Sequence, residues 1–304
     1  MTSAPAQHGV LVYGSDEAFA APTAAFLEGG VTDGEGVLAV VDPARRQMLA
    51  DALGDVTEHV TFLDRDSQYT RPEAAIAAYD ARLRRTLRDG APSVRLYGEL
   101  PQCTTAEEWD RWIAYDAILN RAFEGRPVSI MCGYDTRVLP ARVIEGARRA
   151  HPEIHAEAWE RNPRYHDPAE LVRSLAPEPR PPPDLAPLVV NGDQRALRAQ
   201  LTQAMAAAGL AGERAHGMLL AASEVFANAG RHGGGADMVR VGSAGGRFVC
   251  EISDRGPGLD DPMVGYVPPA PTATAAAGLW VARQLTERLE LLGSGAGLTA
   301  RLWI

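Results

Sequence analysis

Residues 176–187 read A-P-E-P-R-P-P-P-D-L-A-P and divide the chain into two parts. Proline fixes the backbone angle φ and lacks an N–H donor, so this segment cannot continue a helix or a central strand. It is expected to form an extended spacer. The sequence therefore predicts two domains, residues 1–176 and 188–304, joined by a proline-rich linker at 177–187.

The part before the linker alternates short apolar runs with helical patterns. The apolar runs are rich in β-branched residues, which is typical of strands. The predicted strands are 9–13, 36–41, 60–63, 94–97 and 128–132, and the predicted helices are 17–27, 44–53, 72–88, 106–123 and 141–150. Alternation of this kind predicts an α/β domain with a parallel sheet covered by helices on both faces.

The part after the linker has a different order of elements. Two helical patterns, 194–208 and 213–231, are followed by two strands, at 238–241 and 248–253. A long loop rich in proline, alanine and glycine comes next, then a helix at about 278–288 and two closing strands. Paired helices followed by mostly antiparallel strands indicate a layered α+β sandwich.

The composition excludes several classes of protein. A formal net charge of −9 argues against binding to nucleic acid or to an anionic membrane, although not against a local basic patch. No apolar run reaches the roughly 18 residues of a membrane span, and the N-terminus lacks the layout of a signal peptide. Three scattered cysteines, Cys103, Cys132 and Cys250, favour a reduced, cytoplasmic location.

The chain contains no lysine, since all 30 basic residues are arginine. This excludes a Walker A phosphate-binding loop, Schiff-base chemistry and the strand lysine of ordinary protein kinases. The motif G-x-S-x-G and metal-spaced cysteines are also missing, so the sequence does not support a hydrolase or a zinc protein.

Residues 219–233, L-L-A-A-S-E-V-F-A-N-A-G-R-H-G, contain the first candidate motif. Glu224 and Asn228 are four residues apart on a helical pattern, so they are expected to share one face. Arg231 and His232 follow about one turn later. Taken alone, this pattern also fits an ordinary solvated helix face.

Two further motifs follow it along the chain. The strand V-C-E-I-S at 249–253 runs into D-R-G-P-G at 254–258. In such a loop, the aspartate carboxylate can accept a hydrogen bond while the glycine backbone, which has no side chain, approaches a planar ligand. The same sequence is also typical of a common turn after a strand. Gly278 then opens a helix, whose free N–H groups and dipole favour phosphate oxygens. Together, in this order and spacing, the three motifs are more specific than any one alone.

E-x-x-x-N, D-x-G-x-G and the glycine-opened helix resemble the N, G1 and G2 boxes of the GHKL ATP-binding superfamily, which has the Bergerat fold. The phrases A-x-E-x-x-x-N-A-x-R-H-G and G-L-W-V-A-R-Q-L are most similar to its anti-sigma-factor serine/threonine kinases. The resemblance covers about residues 188–304. It implies ATP and Mg²⁺ as cofactors.

The same resemblance implies a role for each residue of the motifs. Glu224 would act as general base on the attacking hydroxyl, and Asn228 would ligate Mg²⁺ through its amide oxygen. Asp254 would accept a hydrogen bond from the adenine amino group, and residues 260–277 would form the ATP lid. The other residues expected to contact the nucleotide are Arg231, His232, Gly256, Gly258, Gly278 and Leu279.

The sequence departs from the family pattern in two places. The first glycine of the G2 box is replaced by Ala276, and no arginine lies between Arg255 and Arg283 to hold the γ-phosphate. These departures predict weak nucleotide affinity or turnover. A histidine kinase is less favoured still, because no histidine lies in a phosphoacceptor helix pair and His216 is too close to the N box.

The first domain resembles the MEDS sensory domain (methanogen/methylotroph DcmR sensory). The phrases that carry the resemblance are H-G-V-L-V-Y at 8–13, A-F-L-E-G-G-V-T-D-G-E-G-V-L-A-V-V at 25–41, Y-D-A-I-L-N-R-A-F at 115–123, M-C-G-Y-D at 131–135 and N-P-R-Y-H-D-P at 162–168. They are spread over most of residues 8–175. The resemblance implies a RecA-like, doubly wound parallel sheet that has lost its phosphate loop and serves as a small-ligand sensor.

Four polar residues near the ends of two predicted strands are candidates for a sensor pocket, with or without a metal: His8, Cys132, Tyr134 and Asp135. Ligands of parallel sheets bind outside the carboxyl ends of the strands. The alternative, which the residue types favour, is that Cys132 is a buried core thiol and His8 a strand-edge residue. A metal pair of His151 and His155 is disfavoured, because Pro152 interrupts a shared helical face.

The sequence thus predicts a cytoplasmic bacterial regulator in which a sensor domain controls an anti-sigma kinase-like domain. By resemblance, the second domain would switch between a sigma factor and a STAS-type anti-anti-sigma protein that it phosphorylates, and such kinases commonly form homodimers. A non-catalytic binding module with a degenerate or structural nucleotide site is the alternative, favoured by Ala276 and the arginine-free lid. A plain ATPase or a histidine kinase is a third possibility.

Overall fold

A division at Ala176 separates two units in the computed structural model of the protein. Each unit has its own sheet and its own helices. The described residues are 7–156, 158–176, 184–269, 277–294 and 297–304. Most of the predicted linker lies outside them. Among the described residues, no helix is both long enough and apolar enough to cross a membrane.

The N-terminal unit is built on a seven-stranded sheet. Its strands are β1 Gln7–Tyr13, β2 Gly36–Val41, β3 Val60–Asp64, β4 Val94–Glu99, β5 Val128–Asp135, β6 Glu153–His155 and β7 Trp159–Arg161. They lie in the order β3-β2-β4-β5-β1-β6-β7, and only β6 and β7 pair antiparallel. The inner strands are almost wholly apolar because both faces of a parallel sheet are buried.

Helices cover both faces of this sheet. They are α1 Asp16–Thr32, α2 Pro43–Leu53, α3 Arg65–Gln68, α4 Pro72–Arg88, α5 Ala106–Ala122, α6 Ala141–Ala150 and α7 Pro168–Leu175, with a 3₁₀ turn at Gly54–His59. On β1, Leu11 and Tyr13 pack with Phe19 and other apolar residues of α1 and α2, whereas His8 bonds to Asn120 of α5. The predicted α/β arrangement, a parallel-rich sheet between helices, is therefore confirmed.

Four short elements of this unit have no counterpart in the sequence prediction, α3, β6, β7 and α7, and neither does the 3₁₀ turn. The two strands have three residues each, which is too short for an alternating pattern to be recognised. Trp159 of β7 packs against Gly9 of β1, where a β-carbon would lie only 2.0 Å from the indole ring. Glycine at this position therefore leaves room for Trp159 against the sheet.

The C-terminal unit combines a five-stranded sheet with three helices. Its strands are β8 Ala186–Leu188, β9 Ala236–Ala244, β10 Arg247–Asp254, β11 Arg288–Ser294 and β12 Gly297–Trp303, and its helices are α8 Gln194–Ala207, α9 Gly212–His232 and α10 Gly278–Leu285. The order is β11-β12-β10-β9-β8, with every neighbouring pair antiparallel. The antiparallel sheet and paired helices agree with the prediction, and β8 begins inside the predicted linker.

One core joins the helices to a face of this sheet. It contains Leu201 of α8, Met218 of α9, Ala282 of α10 and Leu302 of β12, all buried. The apolar stripe of each helix is thereby removed from water, which is the main stabilising contribution to such a layer pair. The polar side of α9 is left to form part of a site.

We predict that Leu302→Ala lowers the free energy of unfolding of the C-terminal unit by about 2–5 kcal/mol, because it leaves a cavity in this core. Leu302 is 0% exposed, whereas Val189 is 68% exposed. The matched change Val189→Ala is expected to alter stability by less than about 0.5 kcal/mol. Denaturant unfolding followed by circular dichroism measures both, and equal midpoints for the two variants would contradict this core.

Candidate functional site

Helix α9 carries the first motif on the edge that faces α10. Val225 packs in the core, while Glu224 and Asn228 are half-buried beside the start of α10. A β-carbon on Gly278 would lie 2.9 Å from Glu224 Oε2 and 3.2 Å from Asn228 Nδ2. The two polar side chains therefore share one helix face, and glycine at 278 allows α10 to approach them closely.

Asp254, at the end of β10, has its carboxylate held by backbone groups. Its Oδ1 accepts hydrogen bonds from the N–H of Gly256 at 2.9 Å and from the N–H of Leu298 at 3.1 Å. A β-carbon on Gly233 would lie 2.3 Å from Asp254 Cγ, so the chain after α9 also closes against this side chain. No hydrogen bond from the described residues engages Oδ2, which remains a fixed acceptor.

The two glycines after Asp254 have different local roles. A β-carbon on Gly256 would lie 2.7 Å from Gly233 Cα and 3.0 Å from the carbonyl oxygen of His232. The loop could therefore not pack this closely with a side chain at 256. Gly258 has φ of +81°, a backbone conformation that other residues rarely adopt.

The three motifs meet at one cavity of about 340 Å³. Seven of the predicted site residues line it: Asn228, His232, Asp254, Gly256, Gly258, Gly278 and Leu279. The rest of the wall is mainly apolar and includes Val225, Ile252 and Ala300. Stretches that are far apart in the sequence are thus brought to one concave surface that combines few polar groups with apolar walls, as ligand sites commonly do.

Glu224 and Arg231 lie beside this cavity through their contacts with its lining residues. Glu224 adjoins Gly278, and Arg231 Nη2 donates a hydrogen bond to Asn228 Oδ1 at 2.6 Å. The amide oxygen of Asn228 is therefore already used in this structure. This contact was not expected from the sequence, because residue spacing does not show which rotamer an exposed arginine adopts.

Helix α10 begins at the cavity without a side-chain cap. Its N-cap residue, Ala277, makes no side-chain hydrogen bond to the helix. The first N–H groups of a helix have no partner within it and carry a partial positive charge. This end can therefore receive an anionic group beside Asn228. Ala276, where the family pattern has glycine, lies outside the described residues.

Residues 260–269 of the predicted lid form another wall of the cavity. Val264 and Gly265 line it, and a β-carbon on Gly265 would lie 2.9 Å from Leu279 Cβ. Arg283, buried in α10, donates from Nε to the carbonyl of Val264 at 3.2 Å and lies 3.8 Å from the centre of the Tyr266 ring. An arginine after the lid thus contacts it, although none lies within it.

The four candidates for a sensor pocket are found in two places. His8, Cys132 and Tyr134 are buried on the face of the sheet that is covered by α5. Asp135 lies at the carboxyl end of β5, where its Oδ2 pairs with Arg45 at 2.6 Å and with Arg137 at 2.7 Å. Arg137 holds the pKa of the Asp135 carboxyl below its usual range.

Two further residues complete the buried group, Asp116 of α5 and His151 just after α6. Tyr134 Oη donates to Asp116 Oδ2, and His151 Nε2 lies 4.0 Å from the same oxygen. His155 is not part of this group and lies edge-on to Trp159. The structure therefore does not bring His151 and His155 together as a metal-binding pair. Sequence reasoning missed Asp116, and it considered His151 only as a disfavoured partner of His155, because no spacing connects either residue with Cys132.

Two separate parts of the chain match models of known protein families. Residues 7–152 match the family model of MEDS, the methanogen/methylotroph DcmR sensory domain. Residues 191–303 match the family model of the histidine kinase-like ATPase domain. No curated protein matches the chain.

Solved structures are similar to parts of the chain. The RsbU and RsbW domains of Rv1364c from Mycobacterium tuberculosis are 24% identical, with a TM-score of 0.30, over 41% of this chain and 33% of that one. This chain thus matches about a third of that protein's length. The histidine kinase domain of a blue-light activated histidine kinase from Erythrobacter litoralis is 15% identical, with a TM-score of 0.25, over 66% of this chain and 95% of that one.

The chain therefore joins a MEDS domain at residues 7–152 to a histidine kinase-like ATPase domain at residues 191–303.

Proposed function

We propose that this protein is a cytoplasmic bacterial signalling regulator, in which a MEDS sensor controls an ATP-binding anti-sigma-factor module. The convergence of Asn228, Asp254 and Gly278 on one cavity carries the proposal. The second domain, with a Bergerat-type fold, would hold either a sigma factor or an anti-anti-sigma protein. Phosphorylation of a serine on the latter would decide which partner is held. The first domain would have a RecA-like sheet without a phosphate loop.

The residues at one end of the cavity fit the adenine of ATP. Two backbone N–H groups hold Asp254 Oδ1, so Oδ2 is fixed as an acceptor for the adenine amino group. Gly256 and Gly258 present backbone without side chains, and Ile252 supplies an apolar surface for a flat base. A ring with one exposed amino group matches this combination.

The other end fits phosphates and Mg²⁺. The uncapped start of α10 at Gly278 offers N–H groups to phosphate oxygens, and an amide oxygen such as that of Asn228 is a hard ligand suited to Mg²⁺. Arg231 would first have to release this oxygen, after which its guanidinium could pair with a phosphate. His232 lines the same wall. Bound ATP with Mg²⁺ would supply the phosphoryl group for transfer.

Glu224 is the residue that would accept the proton of the attacking serine hydroxyl. It lies one helical turn before Asn228, and no hydrogen bond or ion pair among the described residues engages its carboxylate. A half-buried carboxylate beside the phosphate end can accept the proton of a serine hydroxyl as that oxygen attacks. Its role depends on a partner protein that brings the serine to the cavity.

The structure also favours a second candidate, a non-catalytic protein-binding regulator. The hydrogen bond from Arg231 occupies the oxygen of Asn228 that Mg²⁺ would need. If that contact persists, the nucleotide site is degenerate or only structural, and partner capture is the whole function.

In either case, the sensor acts by changing the relative affinities of the second domain for its partners. A ligand shifts such an equilibrium only by the difference between its affinities for the two states. About 1.4 kcal/mol of coupling is enough for a tenfold change in partner affinity.

We predict that the intact protein binds ATP with Mg²⁺ and that Asp254→Asn weakens this binding about 10–100-fold, because an amide N–H would then face the adenine amino group. Isothermal titration calorimetry measures both affinities. Asp193→Asn is the matched control, since asparagine can also cap α8, where Asp193 accepts a hydrogen bond from the N–H of Arg195. Absence of ATP binding by the unsubstituted protein, or equal affinity in Asp254→Asn, would contradict this site.

We further predict that Glu224→Gln reduces phosphoryl transfer to a serine of an anti-anti-sigma protein by about 10²–10⁴-fold. Affinity for ATP should change little, because the carboxylate acts on the hydroxyl rather than on the nucleotide. Transfer of labelled phosphate from ATP to the partner measures the rate.

Glu213→Gln in the first turn of α9 is the control for this change, since Glu213 is exposed and outside the cavity. Unchanged transfer in Glu224→Gln would remove this residue from the mechanism. ATP binding and partner capture without any transfer would support the non-catalytic candidate instead.

A further inference from the structure

The N-terminal domain contains a buried group of four side chains with metal-binding atoms. His8 is on β1, Asp116 on α5 and Cys132 on β5, while His151 directly follows α6. One ligand atom from each lies within 4.8 Å of all the others, and all four residues are buried. Within the described part of the chain, no other group of three or more such side chains is placed this closely.

The hydrogen bonds around Asn120 determine which nitrogen of His8 carries its proton. Asn120 Nδ2 points to three backbone carbonyls, the nearest being that of Ala150 at 2.8 Å, so it must be the donor end of the amide. Asn120 Oδ1, which lies 2.9 Å from His8 Nδ1, is then an acceptor. His8 therefore carries its proton on Nδ1 and directs the lone pair of Nε2 towards Cys132 Sγ, 3.5 Å away.

The same reasoning applies to His151. Its Nδ1 lies 2.7 Å from the carbonyl oxygen of Ala147, which can only accept, so the proton is on Nδ1. The lone pair of Nε2 is buried and has no hydrogen-bond partner, and Asp116 Oδ1 is in the same situation. A buried acceptor left without a partner destabilises the fold, because it has lost its hydrogen bonds to water.

A hydrogen bond between Asp116 and His151 does not supply the partner that these two acceptors lack. Asp116 Oδ2 and His151 Nε2 are 4.0 Å apart, which is too far for a hydrogen bond. Burial, with the neighbouring ring of His8, lowers the pKa of His151 well below its usual value. Burial likewise lowers the pKa of His8 to about 4.

We propose that the MEDS domain binds one zinc-class divalent cation through His8 Nε2, Cys132 Sγ, His151 Nε2 and the carboxylate of Asp116. Two imidazole nitrogens, a thiolate and one carboxylate oxygen form a borderline-soft set that suits Zn²⁺ better than Mg²⁺ or Ca²⁺. Tetrahedral ligands at zinc distances lie about 3.3–3.8 Å apart. The four atoms, which lie within 4.8 Å of one another, would therefore approach by up to about 1 Å, and the thiol proton leaves when the metal binds.

The surrounding contacts are those of a site that holds its ligands in place. Asn120 and the Ala147 carbonyl each accept the outer N–H of one histidine, and Tyr134 donates to Asp116. Outer hydrogen bonds of this kind orient metal ligands and fix the histidine tautomers. Because all four ligands are buried and supplied by the protein, the site is of the closed, structural type rather than a catalytic one.

Cobalt titration of the tag-free, chelator-treated full-length protein tests this site without any nucleotide or partner. Co²⁺ should bind with one ion per chain, giving the intense visible bands of a tetrahedral site and a near-ultraviolet sulfur-to-cobalt charge-transfer band. Zn²⁺ should displace it. Weak bands typical of octahedral Co²⁺, or no binding by the unsubstituted protein, would overturn the proposal.

Two pairs of variants separate the ligands from their neighbours. Cys132→Ser should remove the charge-transfer band, whereas Cys103→Ser, outside the cluster, should retain it. His151→Ala should weaken Co²⁺ binding at least about tenfold, whereas His155→Ala should not.

If His151→Ala does not fold, Tyr134→Phe keeps the ring and should weaken binding about 10–100-fold through the loss of its hydrogen bond to Asp116. An unchanged spectrum in Cys132→Ser and unchanged affinity in the other variants would also overturn the proposal.

Discussion

The carboxylate of Asp254 joins three separate stretches of the C-terminal domain. Its Oδ1 accepts hydrogen bonds from the loop after β10 and from β12, at Gly256 and Leu298. The chain after α9 closes against it at Gly233, where no side chain would fit. Asp254 also lines the mostly apolar cavity, and no hydrogen bond from the described residues engages its Oδ2. The phosphate end of the proposed nucleotide site is positioned separately, by the close approach of Gly278 of α10 to Glu224 and Asn228 of α9.

The two domains differ in how they accommodate polar side chains. In the C-terminal domain, the polar edge of α9 borders an open cavity, so Asn228 and His232 can meet a ligand without leaving their helix. In the N-terminal domain, two histidines and an acid are enclosed between the sheet and its helices. Enclosed acceptors need a donor or a cation. The open cavity of the C-terminal domain suits a ligand that exchanges with solvent, and the enclosed group of the N-terminal domain suits a permanently bound ion.

The elements that depend on local pattern could be predicted from the sequence. The helix at 72–88 and the strand at 36–41 have the predicted bounds, because an initial proline marks the first and an apolar β-branched run marks the second. The four-residue spacing of Glu224 and Asn228 likewise predicted their common face. Contacts that depend on tertiary structure could not be predicted. The buried histidine and cysteine group is assembled from four elements, and the bonds of Arg231 and Arg283 depend on rotamers that no spacing determines.

The convergence of these stretches on a nucleotide site is tested most directly by a crystal structure of the full chain with Mg²⁺ and a non-hydrolysable ATP analogue. The expected result is an adenine amino group hydrogen-bonded to Asp254 Oδ2, with Mg²⁺ on Asn228 Oδ1 and the Arg231 guanidinium moved away from that oxygen. An analogue bound elsewhere on the domain, or one whose adenine makes no contact with Asp254, would contradict the proposed site.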